Sequence, residues 1–132
     1  MATRDVVFPP GRQALYERYR YSPAVRSDGF LFVSGQVGSR EDGSPEPDLE
    51  KQVRLAFDNL NAILKAAGAT LDDVVDVTYF IVDLEKNFEK IWRIVPEYWG
   101  NAPYPTATAI GVTWLTGFQF EIKVTVKLPA SR

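Results

Sequence analysis

Residues 118–128 read Phe118-Gln-Phe-Glu-Ile-Lys-Val-Thr-Val-Lys-Leu128, and apolar and polar side chains alternate through the whole stretch. Consecutive side chains of an extended chain point to opposite faces, so strict period-two alternation specifies one β-strand with one buried face. Phe118, Phe120, Ile122, Val124, Val126 and Leu128 form the dry face, and Gln119, Glu121, Lys123, Thr125 and Lys127 form the wet one. Only one side of the sheet containing this strand is therefore covered. The wet face meets solvent or packs against other subunits around a polar interior.

The rest of the chain supplies that sheet and its cover. Residues 1–17, with Pro9-Pro10-Gly11, read as an irregular lead-in, and Tyr19 to Val25 as a strand. Asp28-Gly29 marks a tight hairpin turn, because Asp and Gly accept the positive φ angles that a primed turn requires. Phe30 to Gln36 is the return strand, followed by a polar loop from Gly38 to Pro47. Asp48 is placed to cap a long helix whose apolar residues Leu49, Val53, Ala56, Leu60, Ile63, Leu64 and Ala67 recur at helical spacing, with Gly68 closing it. Thr70-Leu-Asp-Asp73 has the form of a capping box over a short turn.

Val74 to Val82, rich in β-branched residues, reads as a buried strand. Asn87 is the expected cap of a second helix with the apolar stripe Phe88, Ile91, Trp92, Val95 and Trp99, which Pro96 must kink or split. Thr106 to Val112 and Phe118 to Leu128 complete the order β-β-α-β-α-β-β. The expectation is a single α+β domain over residues 1–132, with four to six strands and two helices on one face.

Composition limits the chemistry. The chain has 132 residues, 45% apolar and 24% charged, enough to bury about two-thirds of its unfolded surface around one core. It contains no Cys and no His. Disulfides, thiolate nucleophiles, His general bases and zinc sites built on His or Cys are thereby excluded. Carboxylates, hydroxyls, Lys, Arg, backbone amides and water remain. A net charge of −2 and a pI near 5.2 argue against nucleic acid as a partner. No apolar run approaches the length of a membrane span and no signal segment is visible, so the expected location is the cytoplasm and the expected partner a small molecule.

Several motifs in order carry a family resemblance. Phe32-Val-Ser34-Gly-Gln36 follows Tyr21 by thirteen residues at its serine; Ala66-Ala-Gly-Ala-Thr-Leu-Asp-Asp-Val and the strand Val77-Thr-Tyr-Phe-Ile come next. From about Tyr21 to Leu128 the chain resembles the Rid (YjgF-type) family, whose best understood members are enamine and imine deaminases. The resemblance implies a chorismate-mutase-like fold assembled as a homotrimeric barrel, with clefts between subunits and neither metal nor organic cofactor. In deaminating members the cleft uses residues matching Tyr21, Ser34 and Glu121, together with an arginine that grips the substrate carboxylate. The glutamate orients the water that attacks the imine carbon.

The arginine is missing. Fifteen residues before Glu121 stands Thr106. A bidentate arginine to carboxylate contact contributes roughly 1.5 to 3 kcal/mol, so a threonine gives up about 10- to 200-fold in affinity for a carboxylate. Trp92 occupies a position that is often asparagine in the relatives, although it also lies on the apolar stripe of its own helix. With Tyr104, Trp114 and Phe118 it suggests an aromatic-lined pocket. Arg18, Arg20 and Arg26 flank Tyr21 as possible displaced cations, or as solvated surface arginines.

Three functions are open at this point. The first is a Rid-like hydrolase of a small enamine or imine. Glu121 would be catalytic, water would be held by Thr106, Thr108 or a backbone amide, and Tyr21, Ser34 and Trp92 would line the cleft. The second is a non-catalytic trimer binding a small molecule in the same clefts. An endoribonuclease or translation inhibitor fits the acidic, His-free composition least. Glu121 itself has a plainer alternative reading, as a residue that only solvates the sheet.

Overall fold

The computed structural model describes residues 3–130. A seven-stranded sheet is the frame: β1 (Asp5–Val7), β2 (Ala24–Ser27), β3 (Phe30–Val33), β4 (Gln36–Val37), β5 (Val74–Val82), β6 (Thr106–Val112) and β7 (Phe120–Lys127). The spatial order is β1-β2-β3-β7-β5-β6, with the short β4 also paired to β7. Every pairing is antiparallel except β5 with β6. The alternating C-terminal strand thus lies inside the sheet, flanked by β3 and β4 on one side and β5 on the other.

Four helices accompany it: α1 (Gln13–Tyr19), α2 (Leu49–Ala66), α3 (Leu84–Trp92) and α4 (Pro96–Trp99). Asp48 caps α2 by accepting a hydrogen bond from the Lys51 amide at 3.0 Å, and Gly68 follows its end with φ +78°. The Thr70 to Asp73 capping box is formed, over a 3-10 turn at Leu71–Asp73. The dry face of β7, with Leu31, Val33, Val77, Tyr79 and Ile81 from neighbouring strands, packs against Val53, Phe57, Leu60 and Leu64 of α2 and Ile91 of α3 as one core. On the opposite face Phe32 and Lys123 are exposed.

The structure corrects five expectations. Of the expected irregular lead-in over residues 1–17, the described residues 3–17 hold β1 and most of α1. Only Tyr16 of α1 is buried and Arg12 gives it no side-chain cap, so neither an apolar stripe nor a cap announces this helix. The strand expected over Tyr19 to Val25 begins only at Ala24, because Arg20 adopts a left-handed φ of +59° and turns the chain out of α1. Ser34 and Gly35 interrupt the return strand. Asn87 does not cap α3, which starts after Asp83; it is buried within the helix and donates to the Val82 carbonyl at 2.8 Å. The sheet has seven strands rather than four to six, because β1 and β4 are too short to show an alternation.

Pro96 splits the second helix as its missing donor requires, standing at the first turn of α4. Asp28 and Gly29 have φ +50° and +81°, as the hairpin turn demands. None of the described helices is long and apolar enough to cross a membrane.

Candidate active site

Tyr21 is set in place by the end of α1. After the left-handed Arg20, the Tyr21 amide donates to the Tyr16 carbonyl at 3.3 Å, and the two rings meet edge to face with centroids 4.8 Å apart. Gln36 donates to the Tyr16 hydroxyl at 3.3 Å and to the Ser34 carbonyl at 3.0 Å, joining the helix to the break between β3 and β4. Burial, then the neighbouring Tyr16 and Glu121, push the Tyr21 phenol above its ordinary range. It stays a neutral hydroxyl and retains its proton for donation.

Glu121 lies on the polar face of β7, opposite Val37 of β4 and Phe80 of β5. Its side chain crosses Gly35, where a Cβ would stand 2.6 Å from the Glu121 Cδ. Glycine at 35 leaves the carboxylate room in this position. Burial raises the Glu121 carboxyl above its ordinary value, and Lys123 two residues along the strand offsets this in part. A carboxylate with raised pKa is a stronger base than one in free water, as proton transfer to or from a reacting group near neutral pH requires.

Glu121 and Tyr21 open into one cleft of about 530 Å³, which Arg18, Tyr19, Leu115 and Phe118 also line. Asp42, at its edge, is kept well ionised by hydrogen bonds from the Ser44 hydroxyl and amide. Two side-chain amides hold the walls, one from the buried Gln52 and one from the half-buried Asn59. Gln52 of α2 donates to the Glu46 carbonyl and accepts from the Gln119 amide, both at 2.7 Å, which pins the loop after β4 to the start of β7. Asn59 donates to the Val37 and Ser39 carbonyls at 2.9 and 3.0 Å and accepts from Arg12 at 3.2 Å. Sequence reasoning missed Gln52 and Asn59; polar residues on a helix that must face a core were the available signal.

The structure brings Tyr21 and Glu121 together and sets Ser34 beside them. Ser34 donates to the Ser22 carbonyl at 2.6 Å, and it shares a second cleft with Tyr21 and Lys123. Thr106 and Thr108 lie elsewhere in the chain. Thr106 pairs with Asp76 in the β5–β6 register and Glu121 with Phe80, four residues along β5 and two strands across, which places them roughly 16 Å apart. The Thr106 hydroxyl donates to the Asp76 carboxylate at 2.6 Å, so its single proton is engaged.

Trp92 packs edge to face on Tyr79 and stacks on Phe88, and with Tyr104 it lines a separate apolar cleft. Of the aromatics expected around Glu121, Phe118 is there, and Tyr19 and Tyr21 take the place of the others.

The family model described as Endoribonuclease L-PSP matches residues 11–128. The RutC family protein YjgH of Escherichia coli K12 is 60% identical over 129 residues, covering 98% of each chain. A solved structure of protein YJGH superposes with a TM-score of 0.93 at 58% identity, covering 98% of this chain and 100% of that one. The 2-iminobutanoate/2-iminopropanoate deaminase of Dermatophagoides farinae is 31% identical over 97 residues, covering 72% of this chain and 74% of that protein. With its sequence motifs in order, its sheet and helices in place and its chain matched almost end to end, this protein belongs to the endoribonuclease L-PSP family, also called YjgF, RutC or Rid.

Proposed function

We propose that the protein is a cytoplasmic hydrolase of a small enamine or imine metabolite, working as a homotrimer of chorismate-mutase-like subunits with its clefts at the subunit boundaries. The observation that carries this reading is the half-buried Glu121 carboxylate, with its raised pKa, facing a cleft beside the neutral Tyr21 phenol. An enamine first tautomerises to its imine. Glu121 then takes a proton from water as the water oxygen bonds to the imine carbon, and the nitrogen is protonated to give a carbinolamine. Collapse of the carbinolamine expels ammonia and leaves a carbonyl compound. Tyr21 donates to the attacking water or to the substrate. In a trimer, Thr106 and Thr108 on the exposed edge strand β6 would reach the cleft of a neighbouring copy, which their distance from Glu121 within one chain requires.

The deaminase name of the Dermatophagoides relative supports the reaction class. Imines generated by amine oxidases and amino-acid oxidases from a panel of amines and amino acids, and trapped with semicarbazide, give the assay. Turnover that disappears in Glu121→Gln is the expected result. No acceleration with any imine offered would sink the reading. Native mass spectrometry decides the assembly, and a monomer at micromolar concentration would remove the shared cleft. The second reading, a binding trimer without turnover, is favoured by the Thr106 to Asp76 bond, which leaves position 106 no proton to offer an anion. The ribonuclease activity that the family description names is the least suited to an acidic chain without His.

A further inference from the structure

We propose that Arg4, Arg20 and Lys123 form an anion-binding site that adjoins the Glu121 cleft across Tyr21, and that it recognises an acidic group on an aromatic or apolar ligand. The three cations line one cleft of about 500 Å³ whose described lining contains no carboxylate. None of them makes a salt bridge among the described residues. The other arginines flanking Tyr21 differ in placement: Arg26 pairs with Asp5 at 3.2 Å, and Arg18 lines the Glu121 cleft.

Three like charges around one concavity repel one another, and a bound anion relieves that repulsion. The donors are available. The Lys123 ammonium gives one hydrogen bond, to the Val33 carbonyl at 3.0 Å, leaving two N–H groups. Two guanidinium groups add planar forks suited to carboxylate or phosphate. The exposed ring of Phe32 on the cleft wall supplies an apolar contact.

Tyr21 lines both clefts, so one ligand can occupy both. Lys123 and Glu121 lie on the same face of β7 two residues apart, roughly 7 Å along the strand. Under the hydrolase reading, on which this extension rests, the substrate is an imine whose acidic group is several bonds from the C=N carbon. That spacing differs from an α-imino acid, and it places the acid away from Thr106.

Isothermal titration with phenylacetate, phenyl phosphate and the neutral phenylacetamide tests the site without any turnover. The acids are expected to bind, and the amide to bind roughly tenfold or more weakly. Arg20→Asn, which tolerates the left-handed backbone, and Lys123→Gln should each weaken the acids about five- to tenfold and leave the amide unchanged. Circular dichroism confirms that both variants are folded. Whichever acid binds more tightly identifies the anion as carboxylate or phosphate. Equal binding of acid and amide, or acid binding unchanged in both variants, overturns the proposal. Hydrolysis of neutral imines by a protein that binds neither acid would remove this site and keep the hydrolase. Acid binding that depends on Arg20 in a protein that hydrolyses no imine would do the reverse.

Discussion

The Glu121 side chain occupies the space where a β-carbon at Gly35 would stand. A strand break two residues after Val33 and the centre of the last strand are thus fitted to one another, and the fit determines where the carboxylate points. The obstruction falls on the mobile end of a side chain. Gly35→Ala should therefore swing Glu121 aside at a cost of about 1 kcal/mol of stability. Displacing the group that places the water should lower imine hydrolysis roughly 100-fold. A thermal melt and the trapping assay on one preparation check both numbers, and unchanged turnover would remove Glu121 from the mechanism.

Glu121→Gln provides a pH signature. The folded carboxyl has a raised pKa, so the native state holds its proton more tightly than the unfolded chain does. Stability from this group is fully present below the unfolded pKa and is lost as pH rises through the raised folded value. The glutamine variant has no charge to bury. It should melt higher than the parent at neutral pH, with the gap closing in acid below the ordinary carboxylate pKa. Wild-type turnover should fall as pH drops through the same raised value, because the ionised form accepts the proton.

Gln52 is nearly fully buried, and both ends of its amide are engaged. Gln52→Leu preserves volume but leaves the Gln119 amide and the Glu46 carbonyl without partners. A loss of about 2 to 4 kcal/mol is expected in urea unfolding. A variant as stable as the parent would show that water reaches both groups.

Trp92→Ala separates core from cleft. The indole packs on Tyr79 with centroids 5.1 Å apart and on Phe88 at 4.9 Å, away from the Glu121 cleft. Truncation should cost about 3 kcal/mol of stability and leave phenylacetate affinity unchanged. Weaker ligand binding by the folded variant would restore the pocket role that the sequence suggested for Trp92.

Long elements with strong periodicity are legible in the sequence. The alternation of 118–128, the helical stripe from Leu49 to Ala67 and the β-branched run from Val74 to Val82 each repeat one pattern several times. β1, β4 and α1 were not legible, because two or three residues or a single buried Tyr16 set up no period. Asn87 illustrates a local rule overridden: a residue type suited to helix caps was buried to serve the Val82 carbonyl. Of the candidate site, the sequence motifs point to Tyr21, Ser34 and Glu121. Of their neighbours, Arg4 comes from the lead-in, whose structure no local signal announced, and Tyr19 ends α1 where the sequence suggested a strand.

Residue types and their spacing set the chemical repertoire, a His-free and Cys-free set of carboxylates, hydroxyls, Lys, Arg, backbone amides and water, and the faces of the main strands and the long helix. These follow from residue type and spacing, which act over a few neighbours along the chain. The folded chain alone shows that Thr106 donates its proton to Asp76, that Trp92 lines a separate cleft, and that Glu121 lies over Gly35 with Tyr21 beside it. Those relations depend on strand order and register. A shift of one residue in the pairing of β7 would turn Glu121 to the opposite face, and burial of Phe120, Ile122, Val124 and Val126 fixes that register.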